Sequence, residues 1–486
     1  MVVKEIVMRL SDLIKDIEVV ESRGDLNIPI KDVVIDSKEV MKGSLFICIE
    51  GEVSDGHDFA KQAFHYGASA IIAERETGAP LPQIIVKNSR IAMSKIAATF
   101  YGNANKELKI IGVTGTNGKT TTSFMIRSLL EFAKVKTALI GTLGTFYGNK
   151  KVEQNLTTPD PLFLHKLFAD MVKEGVKVVV MEVSAHALSL FKLEGIRFET
   201  VVFTNLSQDH LDYFKTMQEY KNAKLKLFER GRFNYAVVNS DDPVGLEMFT
   251  KIEAIGYGID NPADVFAIKV QTRKNCTEFV INLFDKICAI KIPYIGKFNV
   301  ENALAAATVC ALYGVPTDTI FKGLNSLPRV EGRLELVYSD KFNVYVDYAH
   351  TPDGLLKTLS ALRSVTKNKI ICLFGCGGNR DKSKRSIMGK ISLSNADFTV
   401  ITSDNPRYEE PMDIISDIEE GAIKVSKNYV VVQDRGEAIE YAINMAEKND
   451  SIIIAGKGSE RYQEILGIKH VFSDKDIVRE ILKGDD

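Results

Sequence analysis

The stretch from Lys109 to Phe132 constrains the fold most. An apolar run, Lys109 to Val113, enters the turn Gly115-Thr116-Asn117-Gly118-Lys119-Thr120, and an apolar-periodic segment from Thr120 to Phe132 follows. A buried strand feeding a helix through glycines belongs to α/β architecture, in which helices cover a mainly parallel sheet. The chemistry of the turn is equally restrictive. Glycines let backbone N–H groups approach phosphate oxygens, Lys119 neutralises charge, the Thr120 hydroxyl suits magnesium, and the helix adds its positive N-terminal end. The strict spacing, with a glycine five positions before the Gly-Lys pair, is not met: that place is Val113, and Gly112 is its neighbour. The flanking strand and helix supply the context instead and predict an ATP-type site, with a plain strand-to-helix turn as the alternative.

Around this centre the chain reads as three sections. Residues 1–88 hold short apolar runs (Val33 to Ile35, Leu45 to Ile49, Ala70 to Ala73, Ile84 to Val86) separated by small helical patterns, which predicts a small α/β domain. Residues 89–331 carry the phosphate loop and further strands at Val176 to Val183, Thr200 to Asn205 and Tyr235 to Val238. Between Ile252 and Pro293 four short strands (Ala254 to Tyr257, Phe266 to Val270, Glu278 to Leu283, Cys288 to Ile292) predict an antiparallel addition. Residues 332–486 repeat strand then helix, with strands at Val344 to Asp347, Lys369 to Phe374, Asp397 to Thr402, Val430 to Val432 and Ser451 to Ala455. That is the pattern of a Rossmann-like doubly wound domain, whose ligands lie at the carboxyl ends of its strands.

Composition narrows the class. The 486 residues exceed one ordinary core, and 45% of them are apolar. The net charge of −2, from 62 basic and 64 acidic residues, argues against general nucleic-acid or membrane-surface binding, so anionic ligands need local sites. No cleavable leader pattern or membrane-length apolar run is present, and cytoplasm is the expected location. The six cysteines are scattered without metal or disulfide spacing and read as buried or incidental thiols.

Polar groups recur at the ends of the central strands: Thr157-Thr158-Pro159, Glu182-Val183-Ser184-Ala185-His186 and Thr204-Asn205-Leu206-Ser207-Gln208-Asp209-His210. Strand ends beside a phosphate loop are where magnesium ligands belong. Taken with Gly-Thr-Asn-Gly-Lys-Thr-Thr and Tyr220-Lys221-Asn222-Ala223-Lys224, these segments resemble the Mur ligases, and the resemblance covers all three sections. It implies that ATP phosphorylates a peptide carboxylate and that an amine attacks the resulting acyl phosphate. Charge accumulates at both steps, which gives Lys119 and magnesium a role.

By the same resemblance Gly115 to Thr121, Asn302, Arg333 and Asp347 would bind ATP. Thr120 and Glu182 would hold one magnesium; His210 and a carbamylated Lys224 would hold another, the carbamate turning a repelling ammonium into an oxygen ligand. Lys119, His210 and Lys224 are the implied catalytic set. Taken alone, Lys224 reads as a solvated lysine between Lys221 and Lys226, and a helix N-cap explains Asn299 as well as an adenine contact does. The segment around Asp36-Ser37-Lys38 is similar to the family's uridine-binding domain. Ser37, Thr157, Thr158, Ser184 and Lys192 would contact the sugar-peptide, although Leu190 and Lys192 stand where the family has glutamine and arginine. Lys192 keeps the charge and loses the planar fork.

Ser403-Asp404-Asn405-Pro406-Arg407 bears on the incoming amine. A guanidinium pairs a carboxylate bidentately, and in the family Asp-Asn-Pro-Arg marks enzymes that take meso-diaminopimelate. Arg380, Asp404, Asn405, Pro406, Arg407, Gly456 and Glu460 are the implied amino-acid-binding residues; Ser459 replaces the family's histidine. The implied partners are a UDP-N-acetylmuramoyl-dipeptide and a diamino diacid, without nucleic acid or membrane, and the implied state is a monomer. Meso-lanthionine or lysine as the acceptor, a sister ligase such as a folylpolyglutamate synthase, and a phosphate-loop ATPase regulator without ligation are the alternatives.

Overall fold

A computed structural model describes residues 6–51 and 53–483, so the outermost residues of the first and third sections lie outside the described part. The chain forms two compact units. One gathers residues up to 112 with 136–199 and 223–234; the other gathers 113–135, 200–222 and 235 onward.

The first unit contains a five-stranded sheet in the order Val19–Arg23, Gln83–Val86, Ala70–Ala73, Ser44–Ile47, Asp32–Val34. The last four strands run parallel and Val19–Arg23 is an antiparallel edge. Leu45, Ile47, Ala70, Ile72, Ile84 and Val86 bury one face against Met93 and Ile96 of the helix Ser89–Phe100. Asn88 caps that helix, accepting from the Ile91 N–H at 3.0 Å. The same unit holds the parallel pair Thr137–Gly141 and Val178–Glu182, continued antiparallel by Gly144–Tyr147 and Lys150–Val152.

The strand Lys109–Thr114 carries the chain into the second unit, where the helix Lys119–Phe132 packs on Lys297–Leu312. Ile255–Gly258 pairs in parallel with both Phe233–Asn239 and Val265–Arg273. Only Val265–Arg273, Cys276–Leu283 and Lys286–Ile292 form the antiparallel addition, so the antiparallel part starts one strand later than the sequence pattern suggests. The Asp241 carboxylate explains the short parallel connection: it accepts from the Ile259, Asp260 and Asn261 N–H groups and turns the chain after Gly258.

The third section forms a six-stranded sheet in the order Glu335–Ser339, Asn343–Asp347, Ser451–Ala455, Ile370–Phe374, Phe398–Ile401, Tyr429–Val431. All pairs are parallel except the first. Alternate residues feed two cores: Tyr345, Cys372, Phe374 and Ile453 face Leu355, Leu359, Met388 and Ile415, while Val344, Val346, Leu373 and Ile452 face Ala438, Ile439 and Val478. Helices on both faces make this the expected doubly wound layer. The sequence pattern misses the edge strand Glu335–Ser339 and the hairpin Tyr462–Ile465/Ile468–Val471. All six cysteines are free thiols, and only Cys288 is not buried. Among the described residues no helix is long and apolar enough to cross a membrane.

Candidate active site

The phosphate loop is shaped by what stands against its glycines. Gly115 has φ +148° and a Cβ there would lie 1.9 Å from Thr204 Oγ1; at Gly118, φ +85°, it would lie 2.7 Å from Asn302 Oδ1. Neither position accepts a side chain without displacement. Lys119 Nζ folds back onto the Gly115 and Thr116 carbonyls at 3.0 and 2.9 Å. Asn117 donates to Asp353 at 3.0 Å, and its backbone N–H donates to Asn205 Oδ1 at 2.9 Å. Thr116 bonds the Ser207 carbonyl, Arg333 donates to Thr120 Oγ1 at 2.9 Å, and Thr121 is buried. The loop is thus braced from several segments of its own unit.

Asn302 accepts from Thr122 and donates to Asn299. The N-cap reading of Asn299, one of the two left open, does not hold. The helix starts at Lys297 after Gly296, and the Asn299 amide donates back to the Ile295 carbonyl at 2.9 Å. The Arg333 guanidinium lies 4.4 Å from the centre of the Tyr348 ring. Asp347 spends its oxygens on the Leu334 and Tyr348 N–H groups and, at 2.6 Å, on the Thr358 hydroxyl. Burial raises its pKa, against the lowering effect of the Thr358 bond and the Arg333 charge. Asp347 therefore fixes the turn that carries Arg333.

His210, at φ +57°, begins the short helix Leu211–Phe214, and its Nε2 is 3.4 Å from the Asp209 carboxylate. Asp209 is buried, which alone would raise its pKa. The His350 hydrogen bond and the charges of Lys384 and His210 outweigh this and hold it well below the usual carboxylate range. Lys384, itself buried, donates to Asp209 at 3.2 Å.

In the first unit Glu182 is fully buried at the end of Val178–Glu182. Its oxygens accept from the Thr142 N–H and hydroxyl at 2.9 and 3.1 Å, and a Cβ on Gly141 would lie 2.2 Å from Oε1. Thr157 Oγ1 is 3.1 Å from Thr142 Oγ1. Thr158 bonds the Glu182 carbonyl and accepts from the Ser184 N–H, while Ser184 caps Ala185–Ser189. Lys192 is buried and pairs with Asp160 at 2.7 Å. Ser37 belongs to another network, donating to Gln62 at 2.9 Å. Lys224 is 2% exposed, so the reading of a solvated lysine is wrong. A buried lysine needs compensation or modification; Lys221, on the same helix, pairs with Glu247.

Among the described residues no three His, Cys, Asp or Glu side chains gather into a metal site. Of the residues expected to hold magnesium, only Glu182 and His210 are of those types. A Thr120 hydroxyl and a Glu182 carboxylate are oxygen donors suited to a hard cation, and Lys224 suits one only as a carbamate.

The predicted amino-acid residues follow the carboxyl ends of neighbouring parallel strands. Arg380 is exposed after Ile370–Phe374; Asp404, Asn405 and Pro406 are buried after Phe398–Ile401; Gly456 and Glu460 follow Ser451–Ala455. Arg407 has φ +53°, and it donates from Nη1 to the Gly378 carbonyl at 2.6 Å and from Nε to Glu464 at 3.2 Å. Asn405 Nδ2 donates to Glu460 Oε2 at 2.9 Å, which ties the two loops together. Below them Arg435, fully buried, pairs with Asp474 and donates to the Ser403 and Ala455 carbonyls. Sequence reasoning overlooks Thr142, Asp160, Glu464 and Arg435, none of which lies in a recognisable motif.

A glycine turn between strand and helix and polar groups at the carboxyl ends of parallel strands are the features of an α/β nucleotide-binding protein, and the family models identify which class. The Mur ligase family catalytic domain matches residues 29–101, the Mur ligase middle domain 113–310, and the Mur ligase glutamate ligase domain 332–458. The chain belongs to the Mur ligase family and is an ATP-dependent ligase. It is 45% identical to the UDP-N-acetylmuramoyl-L-alanyl-D-glutamate–2,6-diaminopimelate ligase 1 of Clostridium acetobutylicum, over 98% of this chain and 99% of that one. It is 43% identical to the Bacillus licheniformis ligase of the same name, apart from the final number, over 97% and 99%. A solved structure of a UDP-N-acetylmuramoyl-L-alanyl-D-glutamate–2,6-diaminopimelate ligase superposes with TM-score 0.70 at 30% identity, covering 99% of each chain.

Proposed function

We propose that this ligase joins meso-2,6-diaminopimelate to UDP-N-acetylmuramoyl-L-alanyl-D-glutamate with ATP, as a step of peptidoglycan precursor synthesis. The observation that carries the acceptor is Arg407, held in the Asp404–Arg407 turn that Asn405 bonds to Glu460. A guanidinium and a carboxylate on adjoining loops match the distal carboxylate and ammonium of a diamino diacid. The names borne by relatives above 40% identity support the same acceptor.

In the reaction the γ-phosphoryl group passes to the peptide carboxylate, giving an acyl phosphate and ADP. The amine attacks its carbonyl carbon, the tetrahedral intermediate expels phosphate, and the amine nitrogen loses a proton. Gly115 to Thr121 cradle the triphosphate, with Lys119 against its charge; Asn302, Arg333 and Asp347 complete the nucleotide site. Ser37, Thr157, Thr158, Ser184 and Lys192 hold the UDP-sugar peptide, and Arg380, Asp404, Asn405, Pro406, Arg407, Gly456 and Glu460 hold the amino acid. Thr120, Glu182, His210 and carbamylated Lys224 are the proposed magnesium ligands; bound magnesium would supply charge neutralisation where the phosphoryl group transfers. The sections 1–88, 89–331 and 332–486 serve the sugar nucleotide, ATP and the amino acid in turn. A cytoplasmic monomer is the proposed working form.

Mass analysis of the product tests this reading. Incubation with ATP, magnesium, UDP-N-acetylmuramoyl-L-alanyl-D-glutamate and diaminopimelate should give the UDP-linked tripeptide with one ADP per amide. A product lacking the diamino acid, or ADP formation indifferent to both acceptors, refutes it.

A further inference from the structure

Lys457 lies in the loop after Ser451–Ala455, between Gly456 and Gly458, and its side chain is fully buried. Its ammonium donates to Asn405 Oδ1 at 2.9 Å and to Glu460 Oε2 at 3.0 Å, and lies 5.6 Å from the centre of the Tyr462 ring. A buried ammonium is tolerated where acceptors meet it, and both acceptors here belong to the proposed amino-acid site.

The network settles the orientation of the Asn405 amide by chemistry. One end faces the Lys457 ammonium and, at 2.9 Å, the Glu464 N–H; the other faces the Glu460 carboxylate. Lysine and the backbone N–H only donate, so the first end is oxygen, and an ionised carboxylate only accepts, so the second is nitrogen. With two donors on Oδ1 and one Nδ2 hydrogen on Glu460, Asn405 has one remaining N–H for a ligand. Glu460 receives both bonds on Oε2, which leaves Oε1 as its acceptor.

We propose that Lys457 is a positioning residue that sets the polarity of the amino-acid site, fixing Asn405 as a donor for ligand carboxylate and Glu460 as an ionised acceptor for ligand ammonium. The proposal rests on the reading of these loops as the amino-acid site. It explains why a lysine that touches no surface is bonded to two of the site's residues at once, and it ties ligand orientation to one buried charge. Met in its place keeps the chain length and removes the donor, so Asn405 Oδ1 keeps only the Glu464 N–H and Glu460 loses its counter-charge.

The test is a cycle of K457M, E460Q and K457M/E460Q in the full chain, with KM measured for each of the three substrates. K457M should raise KM for diaminopimelate at least tenfold while leaving KM for ATP and for the UDP-sugar dipeptide within twofold. Because Lys457 acts through Glu460 and through Asn405, which Glu460 also bonds, adding K457M to E460Q should raise KM by clearly less than K457M raises it in the parent. A diaminopimelate KM within twofold of the parent, an equal rise for ATP, or losses that multiply in the double variant would overturn the proposal. If K457M gives no cooperative melt, E460Q against the double variant, which carries neither charge, decides, a further tenfold rise overturning the proposal. Failure of the parent enzyme to use any diamino acid would instead overturn the functional reading beneath it.

Discussion

Replacing Arg407 by alanine separates recognition of the amine from use of ATP. In the free protein two of the guanidinium donors are engaged, Nη1 on the Gly378 carbonyl at 2.6 Å and Nε on Glu464 at 3.2 Å. Nη2 and the second Nη1 hydrogen remain for a carboxylate, an end-on fork. A hydrogen bond to a charged group contributes about 1.5–3 kcal/mol. At 1.36 kcal/mol per decade, its loss raises KM for diaminopimelate about 10- to 150-fold. The fold should suffer less: the Arg407–Glu464 pair is 20% and 24% exposed, so its two internal bonds together stabilise by roughly 1–2 kcal/mol. R407G is the control, because φ +53° strains alanine as it does arginine and does not strain glycine. It should bind the amino acid as poorly as R407A while melting higher. The assay is phosphate release with each substrate varied in turn. An unchanged kcat/KM for diaminopimelate, or a matching rise in KM for ATP, would refute the reasoning.

The other predictions concern charge and modification. K224A should lose most of its ligase activity, and parent enzyme depleted of carbon dioxide should lose activity that bicarbonate restores; full activity in K224A, or no response to bicarbonate, contradicts the carbamate. Burial chiefly raises the Glu301 carboxyl from 4.5 to about 7, against the nearby charge of Lys357. The native state therefore holds a proton that the unfolded chain has released, and stability falls as pH rises from about 4.5 through 7. E301Q should flatten that decline and raise stability at pH 8 by roughly 2 kcal/mol, measured as denaturant midpoints across pH. R435M strands Asp474 in a fully buried pair and should cost about 3–5 kcal/mol, seen as a lowered melting transition in calorimetry.

What was legible in the sequence follows burial. The phosphate-loop strand and the parallel strands of the third section are continuous apolar runs closed by polar ends, so both their existence and their site-bearing edge are readable. The hairpin Tyr462–Ile465/Ile468–Val471 is largely exposed and leaves no such run. Its backbone nevertheless meets Arg407, which donates to the Glu464 carbonyl and accepts from the Leu466 N–H. Pairing direction is another gap: Ile255–Gly258 looks like any short strand, and what sends the next strand parallel is a carboxylate at Asp241, some residues earlier in the chain. Thr142 takes both oxygens of Glu182 through a backbone N–H and a hydroxyl, which no spacing rule encodes. Lys224 reads as solvent-facing because its neighbours are lysines, and only the fold buries it. Asp404–Arg407 stands out by its likeness to a Mur ligase motif and carries no periodicity of its own.

The most direct measurement is phosphate release with UDP-N-acetylmuramoyl-L-alanyl-D-glutamate and ATP present and the amine changed between meso-diaminopimelate, meso-lanthionine and lysine. The account predicts rapid release with diaminopimelate, release with lanthionine because its charged ends are the same, and little with lysine, which offers Arg407 no distal carboxylate. Release that proceeds equally with lysine, or with no amine at all, would contradict it.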